Sequence, residues 1–298
     1  MLFIGSACEN IISAMLGVSP ILAVILTINH FDMHRAVPKP KTMNTAIVLL
    51  VVLVILMQSC EKSLIGIRGK GKTVSNAPTI DGTIKGIDLS VAANVHYIKS
   101  DSQYVQIDAQ QNIYNNMALS MNNEVLHVEY EKNVRKHEPV HIYIHSPECH
   151  TVQLSGSGTI HGDSVFTSEH PVSIKISGSG SVNLSISAPA VSIHISDNGK
   201  IIFFTKTENL NAYISGAGNM TATGTAEDAS FNISGSGNVN AHGLTTQNCN
   251  VKVSGAGNIK VATEKQLDVK VSDEGNVKYK GNATVTTDIS GSGDVKHQ

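Results

Sequence analysis

Residues 233–241 read ISGSGNVNA. Two glycines flank one serine, a second serine precedes them, and a polar run follows. Such a stretch can cradle a phosphate or make a tight turn. Recurrence decides between the two. The same frame appears as LSGSGTI (154–160), ISGSGSV (176–182), ISDNGKI (195–201), ISGAGNM (214–220), VSGAGNI (253–259), VSDEGNV (271–277) and ISGSGDV (289–295), eight copies in all. The last glycines are Gly158, Gly180, Gly199, Gly218, Gly237, Gly257, Gly275 and Gly293, with gaps of 22, 19, 19, 19, 20, 18 and 18 residues. A phosphate loop would lead into a helix. Here each glycine turn leads into another alternating apolar run.

Four residues before each last glycine stands an aliphatic residue, from Leu154 through Ile233 to Ile289, and two residues after it another, from Ile160 through Val239 to Val295. Six before, most copies are apolar again (Val152, Ile174, Ile193, Phe231, Val251, Val269), and the residues between are mostly polar. A period of two means strands with one buried face. Each unit is strand, tight turn, strand, looser turn. One such unit cannot bury enough to stand alone, so neighbours must stack. The prediction is an all-β, single-domain β-solenoid with rungs about 4.8 Å apart. A Greek-key sandwich, the competing fold, would not need one residue at one phase in every unit.

The glycines fit a reversal that needs positive φ. In two copies the first glycine is Asp197 or Asp273, and Asp tolerates that region better than most residues. The serine before it is present every time (Ser155, Ser177, Ser196, Ser215, Ser234, Ser254, Ser272, Ser290). Its hydroxyl is expected to bond turn backbone and the eight to stack. All eight last glycines are assigned a structural, turn-defining role.

The front of the chain reads as an address. Residues 46–57, AIVLLVVLVILM, are too short to span a bilayer comfortably, which takes about 20 apolar residues. Arg35, Lys39 and Lys41 precede them, and Ser59-Cys60 follows, as in a secretory signal. That arrangement resembles a bacterial lipoprotein signal over 33–60, which implies cleavage before Cys60 and a lipid on its sulfur. Residues 1–32 read as an over-long start or an extra membrane segment. Residues 61–78 read as a flexible tether, and 79–150 as less regular strands that cap one end of a domain running from 79 to 298.

A Cys-terminated signal, irregular strands and eight turns, six of them S-G-[SA]-G, together resemble the putative auto-transporter adhesin, head GIN domain family (DUF2807) of Gram-negative bacteria. The resemblance covers about 79–298. It implies a pectin-lyase-like right-handed parallel β-helix, no recognised catalytic residues and a role in cell adhesion.

Little else points to chemistry. A formal charge of −2 gives no reason to expect nucleic acid. His141 and His145 would share a strand face about 13 Å apart, too far to hold one ion. Asp197 and Asp273 lie four repeats apart, so no shared calcium site is expected. The outward positions show no cluster of carboxylates or bases, so no catalytic residue, cofactor or metal is assigned. Cys149 and Cys249 differ by one in phase and lie about five rungs apart, roughly 24 Å, so two free thiols on opposite sides are expected. The function expected is a non-catalytic cell-envelope lipoprotein, at the outer membrane or cell surface. It is held to the membrane through Cys60 and carries an adhesion or binding module for a host or glycan ligand. A carbohydrate-active enzyme on the same β-helix and a purely structural envelope protein are the alternatives. The last strands leave an open edge, a liability that another subunit of a homo-oligomer would cover.

Overall fold

The computed structural model describes residues 66–298. The readings made for residues 1–65, including the signal and Cys60, lie outside that range.

The first part is a mixed cap. Its elements are β1 (Ile67–Arg68), β2 (Thr73–Asn76), β3 (Gly86–Leu89), β4 (Asn94–Lys99), β5 (Tyr104–Gln110), a one-turn α1 (Gln111–Tyr114), β6 (Met117–Asn122), β7 (Val125–Tyr130), β8 (Val134–Lys136) and β9 (His141–Ser146). Three pairings here are antiparallel: β2 with β5, β5 with β9 and β6 with β7. Asn123 and Glu124 join β6 to β7 with φ of 49° and 63°, the two left-handed residues a tight hairpin requires. The antiparallel strands cover one end of the parallel stack, which suits a capping role.

Part of the segment expected to be a tether is docked on this cap. β1 pairs with β8, and β2 with β5. The Gln110 side-chain amide donates to Gly71 O at 2.7 Å and accepts from Glu138 N at 3.0 Å. Asn112 donates to Arg68 O and accepts from Lys70 N, both at 2.8 Å. Short strands separated by glycines carry no visible period, and their partners lie 67–68 residues away for β1 and 31–37 for β2, so the pairing was not legible locally.

From residue 151 the strands are parallel: β10 (Thr151–Gly156), β11 (Thr159–Thr167), β12 (Val172–Gly178), β13 (Ser181–Asp197), β14 (Lys200–Gly216), β15 (Asn219–Gly235), β16 (Asn238–Ser254), β17 (Asn258–Asp273), β18 (Asn276–Lys280), β19 (Thr284–Gly291) and β20 (Asp294–His297). Each rung pairs with the next in the register the repeat predicts. Leu154, Ile176, Ile195, Ile214, Ile233, Val253, Val271 and Ile289 form one continuous column. All but Ile289 are buried. The fold is a parallel β-solenoid.

Strands β13 to β16 run through the corner opposite the glycines without a break. Small or hydroxylated residues turn inward there: Ala188, Thr207, Ala226, Thr246 and Thr263, aligned rung to rung. Their hydroxyls are satisfied. Thr207 Oγ1 donates toward Pro189 O and Asn209 O at 3.1 Å, and Thr246 Oγ1 toward Ala262 O at 3.0 Å. Core volume is balanced within rungs. β14 carries Phe203 on one sheet and Ala212 on the other, whereas β15 carries Ala222 and Phe231 at the matching positions, all buried. Such swaps keep interior packing dense while the side chains change.

Candidate binding faces

The glycine corners contain two kinds of glycine. The first of each pair has positive φ, for example 137° at Gly235. A Cβ there would lie 2.5 Å from Gly216 O of the previous rung. The last glycine has ordinary φ but faces inward. A Cβ on Gly237 would lie 2.7 Å from Ile214 Cγ2 and 2.8 Å from Gly218 O. The first glycine is therefore needed for conformation as well as space, save Gly156 on the first rung, where conformation alone requires it, and the last for space alone. Asp197 and Asp273 sit at φ of 67° and 87°, closer to the left-handed helical region that L-residues can reach. The corner changes shape to accept them.

The serines align rung to rung, but among the described residues none of their hydroxyls bonds turn backbone. The corner backbone is already committed to its neighbours: Ser236 N donates to Gly216 O at 2.9 Å and Asn238 N to Gly218 O at 3.0 Å. The side-chain ladder instead forms one residue after the last glycine. Asn238 donates to Asn219 Oδ1 at 3.1 Å, Asn258 to Asn238 Oδ1 at 3.0 Å and Asn276 to Asn258 Oδ1 at 3.3 Å. Its sequence signal is an asparagine at one phase in four successive copies, weaker than the serine present in all eight.

The two sheets carry different outward faces. On the face formed by β4, β9, β11 and β14, His96 stacks on Tyr143 with centroids 4.8 Å apart and on His141 at 5.6 Å. His96 Nε2 and His141 Nδ1 are 3.3 Å apart. Burial, then the nearby His141 and His161, lowers the pKa of His96. Val165, Ile202 and Phe204 lie exposed on the same face. Farther along, Lys260, Lys278 and Lys296 align in register, and burial followed by Lys280, Lys260 and Lys278 lowers the pKa of His242. His141 and His145 alternate with buried Ile142 and Ile144 on β9, both half-exposed.

The other sheet bears Lys175, His194, Tyr213, Asn232, Lys252, Lys270 and Asp288 in one column, where Lys270 Nζ meets Asp288 at 2.7 Å. Beside that column, next to the far corner, a trough of about 270 Å³ runs across four rungs. Its rims are Asn209, Asp228, Asn248 and Gln266 on one side, and Asn211, Ser230, Asn250 and Asp268 on the other. Buried Leu210, Ala229 and Cys249 lie between them.

Cys149 and Cys249 are both free and buried. They do not face opposite sides: Cys149 precedes β10, outside the strand alternation on which that expectation rested, and turns into the core. Burial pushes each thiol up to about 12, against a weaker opposing hydrogen bond from Tyr97 or Thr263. Among the described residues no group of three or more His, Cys, Asp or Glu side chains is placed to hold a metal ion.

The family model described as putative auto-transporter adhesin, head GIN domain, matches residues 84–222 and 186–283. The chain belongs to this family. The model lies on the head GIN domain twice with overlap, as expected where one repeat frame can be entered at more than one rung. The domain is similar to solved structures of a putative adhesin from Parabacteroides distasonis (22% identity, TM-score 0.73) and of a putative lipid binding protein from the same species (21%, 0.75). It also matches a putative adhesin from Bacteroides fragilis (23%, 0.61). In each case 78% of this chain and 100% of the other is covered. At these identities the likeness is one of fold. A search of curated proteins matched nothing.

Proposed function

We propose that this head GIN protein is an exported, non-catalytic binding module of the cell envelope, anchored through a lipid on Cys60 and used for adhesion. The observation that carries the reading is the division of labour in the solenoid. The apolar columns and glycine corners are spent on stacking, which leaves long outward faces of mixed polar residues. The groups whose ionisation shifts farthest, Tyr97, Tyr130, Cys149 and Cys249, are moved first by burial. Tyr97 and the two thiols sit inside the core, away from any face a polymer could reach.

The family's description as an adhesin and the relatives' names support binding over turnover. The test pairs two readouts. Radiolabelled palmitate should enter the wild-type chain and be lost in Cys60→Ala. The purified full chain should bind immobilised glycans or matrix proteins while leaving pectin-like polymers uncut. Cleavage of any such polymer would overturn the reading.

A further inference from the structure

We propose that the trough between β14 and β17 is a binding site for a neutral oligosaccharide, lying across the rungs. The inference rests on the binding-module reading above and names its ligand class.

Three observations converge on it. First, Asn and Asp are disfavoured within strands, yet Asn211, Asn250 and Asp268 occupy one outward column in mid-strand. At a glycine corner such residues find local partners, so their presence there needs no ligand. Here Asn211 and Asn250 find no such partner, and only Asp268 is held, by Gln266. Second, the two amide arrays of the molecule differ in satisfaction. The corner ladder of Asn219, Asn238, Asn258 and Asn276 bonds along itself. In the trough Asn248 donates to Asp228 at 2.8 Å and Gln266 to Asp268 at 2.8 Å. Among the described residues the side chains of Asn209, Asn211 and Asn250 make no hydrogen bond to protein. Third, these free amides stand on both rims of a concave strip rather than on a convex edge.

The chemistry of the lining selects the ligand. A side-chain amide both donates and accepts, as a sugar hydroxyl does, and the two carboxylates accept from hydroxyls. No Lys or Arg lines the strip, and two carboxylates do, so phosphate, sulfate and uronate ligands are repelled. Two carboxylates on separate rungs, each already holding an amide N–H, do not make a cation cage. The side chains of Leu210, Ala229 and Cys249, between the rims, turn into the core, so the contacts offered to a ligand are those of the polar rims. Four rungs span about 14 Å, the length of a short oligosaccharide rather than a single ring.

The experiment uses the full chain in detergent on an array of neutral glycans, followed by titration calorimetry of the best neutral oligosaccharide, with polygalacturonate and heparin as anionic comparators. The expected result is binding of a neutral oligosaccharide that survives added salt. Asn211→Val/Asn250→Val should weaken it by about tenfold or more, as expected for losing one to two neutral hydrogen bonds. Valine favours strands, so the same variant should melt no lower than wild type, which separates lost binding from lost folding. Absence of binding to every neutral glycan, preference for the anionic polymers, or wild-type affinity in the double variant would each overturn the proposal. Adhesion of the wild-type chain to cells or matrix is scored alongside. Adhesion that persists in the double variant sinks the trough and leaves the module reading standing; a wild-type chain that adheres to nothing sinks the module reading itself.

Discussion

Two glycines two residues apart do different work at six of the eight corners, and a pair of substitutions at each glycine separates the two roles. Gly235→Ala places an L-residue at φ 137° and a Cβ 2.5 Å from Gly216 O. The left-handed backbone costs about 1–2 kcal/mol and the forced shift about 1–3 kcal/mol. Loss of unfolded-chain freedom returns roughly 0.4–1 kcal/mol. The net is about 1–4.6 kcal/mol, or a melting temperature lower by about 2–18 °C for a chain of this size. Gly237→Ala carries no φ penalty, only the contacts at 2.7 and 2.8 Å, and should cost about 0.5–2 kcal/mol. Aspartate reverses the order. At 235 it should be better tolerated than alanine by about 0.6–1 kcal/mol, since Asp is several-fold enriched in left-handed conformations and the corner already accommodates Asp197 and Asp273. At 237, which is buried, Asp should be worse than Ala by several kcal/mol, because an unpaired carboxylate enters the core. Thermal unfolding followed by far-UV circular dichroism reads all four. Alanine tolerated better than aspartate at 235, or aspartate better than alanine at 237, would refute the assignment.

Other consequences are open to measurement. Phe231→Ala should lose about 3–5 kcal/mol in urea unfolding, and Ala212→Phe in the same chain should recover part of it, because the two align on adjacent rungs. Asn238→Ala breaks two ladder bonds and should cost about 1 kcal/mol, given their exposure. Cys149 and Cys249 should resist a thiol reagent at pH 8 in the native protein and react once unfolded. Unfolded thiols ionise near 8.5, whereas the folded protein holds those protons to about 12. The native state thus binds more protons in that window. Stability should be level below about pH 8 and fall as pH rises from there toward 12.

The stack was legible because a β-solenoid writes one rung many times. The apolar phases around Ile233 and Val239, and the substitution of Gly by Asp197 and Asp273, survive as columns and corner geometry. What was not legible lacks that repetition or competes with it. β1 and β2 carry too few residues to show a period, and their partners are distant in sequence. The inward turn of Cys149 depends on a loop ahead of β10, where strand parity does not apply. The trough was hidden for another reason. Asn209, Asp228, Asn248 and Gln266 share a register position but not a residue type, and the far corner beside them varies in length, with bulges between Ala241 and Thr245 and between Thr246 and Asn248. Counting forward from the preceding glycine loses phase there, whereas counting back from the next last glycine places all four nine residues before it, a column masked by its mixed residue types.

Protease treatment of intact cells producing the full chain tests the functional account most directly. The account predicts that the solenoid is removed from the surface of unbroken cells, while a periplasmic control protein stays whole. A solenoid that is protected on intact cells and cut only after the outer membrane is opened would contradict adhesion, because no external surface could reach its faces.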